Sequence, residues 1–283
     1  MASTTAPSPL RHLKSLEFIA GAVLLALIVG TVVLSGWLFA DPGAISLKAR
    51  LVPPLTDPAH LLGTDALGRD ILARVANGGW ISLKVGIISV AGSVVLGVIM
   101  GLVAGYYRGF WDVLVMRFAD VQLSLPFILL AITVVAIVGG SLTTTIVLMI
   151  VSQWVQYARL VRGSALTLRE REFILSARAI GVRDRSIIFS HILPNLLGPV
   201  IVLMTLNVAN NILLEASLTF LGLGVDPSIP SWGGMLAEGR TYLQTAWWIT
   251  VVPGMAILLT VLALNLLGDW LRDLLDPTGR TNR

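Results

Sequence analysis

Cysteine is absent, and charge is scarce. Without cysteine there is no disulfide framework, no thiolate metal site and no thiol nucleophile. Charged residues are 13% of the 283, about half the ~25% usual in soluble domains. That scarcity excludes a water-soluble globule. The three histidines, His12, His60 and His191, fit no metal-ligand spacing. No GxxxxGKS/T phosphate loop, HExxH or GxSxG elbow occurs, so the reading is that of a chain that is not an enzyme.

What is present is apolar. Hydrophobic residues make up 55% of the chain, and mean hydropathy is +0.85. Several charge-free runs exceed the ~20 residues a bilayer crossing requires. The expectation is an all-α integral membrane protein. The sequence pI of 9.8 comes from basic residues concentrated in loops, which fits membrane topology and argues against a nucleic-acid partner.

Six membrane helices are expected, at about 18–40, 85–107, 119–138, 142–161, 192–214 and 245–268. Residues 1–17 form a polar tail, and 18–283 the membrane domain. The run Phe18–Ala40 is too long for a signal h-region of roughly 7–15 residues and is read as a retained helix. Gly139-Gly140-Ser141 splits the charge-free run Val121–Ala158 into a hairpin. Pro126 and Pro253 are expected to kink their helices. Ser93, Gly97, Gly101 and Gly105 recur every fourth residue, a face against which another helix backbone can approach.

Six spans put both termini on one side. With the termini in the cytoplasm, fourteen basic residues lie inside and six outside, as the positive-inside rule requires. Segments 41–79 and 219–240 are then external, and 162–191 is a cytoplasmic loop. A surface helix is expected over 63–75, capped by Thr64 or Asp65, with Asp70 and Arg74 paired at i,i+4.

Two regions stand out. The first is Arg159–Pro194, with seven arginines against three acids. As a helix, it sets Leu166, Phe173, Ala177 and Ile180 on one side, suited to packing under the membrane bundle. Leu168 and Leu175 lie opposite, among Arg171, Glu172 and Arg178, a mixture that fits a protein interface. Gly181 is placed to end the helix in a left-handed cap, and Ser186–Leu193 begins a second helix before Pro194. Docking to a soluble partner and a solvated loop serving only topology are both open. The second region is Asn207, Asn211 and Glu215, spaced by four, with Asn210 beside them. Such groups are costly in lipid. They either line a translocation path or hydrogen-bond helices together.

The segment Leu175-Ser176-Ala177-Arg178-Ala179-Ile180-Gly181, nine residues, then His191-Ile192-Leu193-Pro194 resembles the EAA loop of ABC importer permeases. Ala177, Gly181, Leu193 and Pro194 match that pattern. Leu175 stands where the family has Glu, Ser176 replaces an Ala, and His191 an Ile. LLGTDALGRDILARV, ARAIGVRDRSIIFSHILPN and EASLTFLGLGVDPSIPSWGGML are similar to the C-type permease subunit of dipeptide, oligopeptide and nickel importers. The resemblance covers nearly everything after Leu16.

The resemblance implies a type I importer permease fold and a heterodimer with a related permease. It further implies two ATPase subunits, holding ATP and magnesium, docked on the 165–193 loop, and an external substrate-binding protein. No cofactor is implied on this chain. The coupling residues would be Arg171, Glu172, Leu175, Ser176, Ala177, Arg178, Gly181 and Arg183. The external segments would meet the binding protein or close the outer gate. The cargo implied is a dipeptide or short oligopeptide, with nickel or another small cargo as the alternative. From outside this class, a stand-alone channel or ion-coupled carrier is the rival.

Overall fold

The structure is a computed structural model that describes residues 16–39 and 41–275. The expected tail 1–17 lies outside this range save for its last two residues. Among the described residues most of the chain is helical, and the β structure is an isolated bridge between Thr64 and Asp70. Chain order gives α1 Leu16–Val33, the one-turn α2 Ser35–Leu38 and α3 Ile71–Leu102. Then come α4 Gly109–Ser124, α5 Phe127–Val138 and α6 Leu142–Arg169. The remaining helices are α7 Glu172–Ala179, α8 Asp184–Ile187, α9 Leu193–Phe220, α10 Trp232–Gly239 and α11 Trp248–Leu275. A π segment, Val103–Tyr107, prolongs α3, and another, Ile188–Ile192, joins α8 to α9.

Among the described residues, four rods are long and apolar enough to cross a bilayer: Leu16–Val33, Ile71–Tyr107, Asp184–Phe220 and Trp248–Leu275. The pair α4 and α5, bent by 87°, makes a fifth if taken as one span. Pro126 pushes Leu125 out of the helical region into an extended conformation, so the chain turns sharply there instead of kinking. The expected third span, 119–138, is thus broken, and its helix already starts at Gly109. Helix α6 is 28 residues long, about 42 Å at 1.5 Å per residue. Gln153 and Gln156 dilute its apolar character, and it runs against α3.

Sequence boundaries differ from the structure in physically simple ways. The expected external segment 41–79 ends early, because α3 begins at Ile71. Its N-cap is Asp70, whose carboxylate accepts from the Ala73 N–H at 2.7 Å, and neither Thr64 nor Asp65 caps it. Residues 63–70 are a turn, so 63–75 is no separate surface helix. The expected loop 162–191 shrinks to 170–183, since α6 continues to Arg169 and the α8–α9 rod begins at Asp184. Pro194 does not interrupt this rod. A π turn directly before it widens the helix where its ring would meet the carbonyl four residues back.

The bundle is drawn together at small residues. A Cβ on Gly97 would lie 2.5 Å from Tyr157 Cβ, and one on Gly101 would lie 2.6 Å from the Ala158 carbonyl. The regular Gly stripe of α3 is therefore the seat of α6. Helix α9 crosses α3 and packs on α11, and α11 also carries α1. Trp232 on α10 is buried and donates to the Val75 carbonyl at 2.9 Å, tucking this short helix beneath the start of α3.

Candidate functional site

Three polar clusters sit at three levels of the bundle. The first is the loop between α6 and α8. Helix α7 starts afresh after the break at Glu170–Arg171, and that break resets its phase. Ile174 and Ala177 turn inward, onto Ala165, Leu168, Ile187 and Ile188. Phe173 and Ile180, expected on the packed side, are exposed instead, Ile180 at 82%. Periodicity carried through from Leu166 mis-sets the face by about one residue, because the two helices are not continuous. Helix α7 closes in a Schellman motif: Val182 N–H donates to Ala177 O, and Gly181 N–H to Arg178 O, both at 3.1 Å. Gly181 takes φ +81° there, a conformation that glycine adopts without strain.

The seven arginines divide by contact. Arg162 grips Asp112 of α4 through two bonds of 2.5 and 2.7 Å, and Arg159 reaches Asp120 at 2.8 Å. Arg169 and Arg178 turn toward the Tyr106 ring, their guanidinium carbons 5.7 and 5.4 Å from its centroid. Hydrogen bonding to the Tyr106 hydroxyl, with the charges of Asp184 and Glu170, raises the Arg178 pKa above its usual value. Arg171, Arg183 and Arg185 are exposed. Of the expected coupling residues, Arg171, Glu172, Leu175, Ser176, Gly181 and Arg183 face outward, Leu175 at 46% exposure. Ala177 and Arg178 face the bundle. Sequence reasoning passed over Tyr106 and Asp184. The aromatic pair Tyr106-Tyr107 ahead of Arg108, at the end of an apolar run, is an interface signature that could have marked the place.

The second cluster lies inside the helix bundle, along α9. Glu215 accepts from Ser82 Oγ and Thr219 Oγ1, each at 2.9 Å. Asn211 donates to Ser89 Oγ at 2.6 Å and accepts from Gln153 Nε2. Asn207 donates to Tyr157 Oη at 2.9 Å. These three side chains, all buried, tie α9 to α3 and α6. Asn210 is exposed, about 100° round the helix from its neighbour Asn211, and stands apart from the other three. Buried polar side chains in lipid are satisfied in this way by neighbouring helices.

The third cluster closes the other end of α3. Arg74 is 2% exposed. It donates to Asp65 Oδ2 and Glu238 Oε2, both at 2.7 Å, and to Glu238 Oε1 at 3.0 Å. Arg69 joins the same two acids, at 2.6 and 2.9 Å. Two cations and two anions form a closed ring that fastens the 63–70 turn and the first turn of α3 to α10. The expected Asp70–Arg74 pair is not formed, because Asp70 is engaged in capping α3 and in a 3.0 Å contact with His60.

Residues 93–280 match the model of the binding-protein-dependent transport system inner membrane component. The matched stretch holds the α7 loop, all of α9 and Glu238 of the ring. The chain belongs to this family. Similar members of this permease family include a putative peptide transport system permease protein of Brucella suis biovar 1. It is 44% identical over 268 residues, spanning 94% of this chain and 90% of that one. A di/tripeptide transport system permease protein of Pseudomonas aeruginosa is 39% identical, over 96% and 93% of the two chains. A glutathione transport system permease protein of Pectobacterium atrosepticum is 47% identical, over 77% and 73%. The permease fold is shared with the MetNI methionine ABC transporter in inward-facing conformations. The TM-score is 0.57 at 20% identity, covering 71% of this chain and 96% of that one. The permease is therefore a multi-pass inner-membrane component with the type I importer fold.

Proposed function

We propose that this permease moves dipeptides or short oligopeptides inward across the cytoplasmic membrane, driven by separate ATPase subunits. The observation that carries this reading is the α7 loop. Its outward strip of Arg171, Glu172, Leu175, Ser176, Gly181 and Arg183 is held on an ordered, buried footing. Exposed apolar side chains among charges, on a rigid support, suit a protein partner. Relatives named for peptide, di/tripeptide and glutathione transport support the cargo class.

On this reading the chain has six spans, α6 among them, and both termini lie in the cytoplasm. The loop is cytoplasmic, and the Arg74 ring and α10 are external, where the substrate-binding protein delivers cargo. A second, related permease completes the path, and ATP and magnesium belong to two ATPase subunits. The path runs along the side of α9 that bears Asn210. Asn207, Asn211 and Glu215 set the rotation of α9 and so what it presents to that path.

The test is uptake of labelled di- and tripeptides by vesicles holding the assembled complex. Uptake is expected to require ATP on the loop side and binding protein on the other. Uptake by this chain alone, without ATP, would overturn the reading in favour of a stand-alone carrier.

A further inference from the structure

Tyr106 is 2% exposed, yet its polar contacts are to charged groups of the loop. The guanidiniums of Arg169, on the last turn of α6, and Arg178, on the last turn of α7, both lie against its ring. Its hydroxyl donates to Asp184 Oδ1 at 2.5 Å, on the first turn of α8. Its backbone carbonyl accepts from Arg169 Nη1. One side chain thus touches the element on each side of α7 and α7 itself.

A core tyrosine that only fills space needs none of this. Tyr106 is itself packed in the apolar cluster that seats α7, with Ile174, Ala177, Ile187 and Ile188. What Tyr106 adds is a directional link. It ends the Ile71–Tyr107 rod, 37 residues long, whose first turn carries Arg74 of the ion ring. At 1.5 Å per residue the rod measures about 55 Å, well beyond the ~30 Å of bilayer hydrocarbon. It reaches the loop at one end and the ring at the other. Both rods that meet the loop carry a π segment there, Val103–Tyr107 and Ile188–Ile192, a local geometry frequent at functional sites.

We propose that Tyr106 is the positioning residue through which a displacement of the α7–α8 loop is passed to α3. The proposal rests on the reading that the loop seats an ATPase. When the partner shifts the loop, Arg178 and Asp184 move with it, and Tyr106, held to both, carries the end of α3 along.

The experiment uses the full complex in proteoliposomes and measures peptide uptake and ATP hydrolysis in the same vesicles. Tyr106→Phe keeps the ring and removes the bond to Asp184, and Asp184→Asn weakens the same bond from the other side. Each is expected to leave the ATPase bound, by co-purification, while transport per ATP falls about five-fold, the effect expected of one lost hydrogen bond. The double variant is expected to fall no further than either single one. A wild-type ratio in Tyr106→Phe, multiplied effects in the double variant, or loss of the ATPase from Tyr106→Phe would each overturn the proposal. The seat itself is checked separately. Leu175→Cys, the chain's single cysteine, is expected to cross-link to an ATPase subunit in the assembled complex. Failure to do so would remove the seat reading, and the proposal with it. Cross-linking with an unaltered Tyr106→Phe ratio removes the proposal alone.

Discussion

Asn210 and Asn211 are neighbours in sequence with opposite tasks. Asn211 is buried and bonded to Ser89 and Gln153, whereas Asn210 is exposed. Asn211→Leu leaves Gln153 without its acceptor and removes the bond to Ser89, and is expected to weaken the bundle by roughly 0.6 to 2 kcal/mol per bond lost. A fall in the thermal midpoint of the detergent-solubilised chain checks this. Asn210→Leu is expected to leave that midpoint in place and to change uptake in the assembled complex. If both variants behave alike in both measurements, the division of α9 into a bonded side and a path side fails. Periodicity placed Asn207, Asn211 and Glu215 together, since a spacing of four keeps one face. It could not tell which face is inside, because helix α9 is apolar on nearly every side.

Helix α7 turns on its glycine. Gly181→Val forces a β-branched residue into the left-handed region, at a cost of about 1–2 kcal/mol, and disrupts the Schellman bonds to Ala177 and Arg178. The chain should still insert, because the spans do not depend on that turn. Hydrolysis should then run without matching uptake, measured as transport per ATP. Normal coupled uptake would refute the role given to the turn. The glycine, the helix before it and the rod after it were legible in the sequence, as was the Gly stripe of α3, where spacing alone fixed the face that meets α6. The rotation of α7 was not, because the break at Glu170–Arg171 is carried by no proline or glycine. Nor was the start of α3 at Ile71. Asp65, an expected cap, is engaged instead by the Leu67 and Arg69 N–H groups and by the Arg69 and Arg74 guanidiniums. Pairings that join residues over 160 positions apart, such as Arg74 with Glu238, leave no local trace.

The ring ties the 63–70 turn, α3 and α10 to one another. Removing one partner of a buried ion pair costs about 3–5 kcal/mol, so Arg74→Met, which leaves the acids short of a partner, is expected to loosen the whole 41–70 segment. Glu238 is 34% exposed in its side chain, so Glu238→Gln is expected to do less. On the proposed topology, protease added from the external side should cut the segment faster in Arg74→Met than in the parent. Equal rates would mean that the segment is held by its apolar seat of Leu51, Leu62 and Trp248 alone. The membrane cluster has a consequence for how the protein is made. Its partners on α3 and α6, Ser82, Ser89, Gln153 and Tyr157, are all synthesised before α9. Ser89 and Ser93 also donate back to carbonyls of their own helix, at 2.6 and 2.8 Å, so neither needs α9 to be satisfied in lipid. Glu215, the cluster's carboxylate, emerges only once every partner on another helix has been laid down. The order of synthesis thus brings the group least tolerable to lipid into a bilayer where its donor on α3, Ser82, already waits, with Thr219 following one turn later.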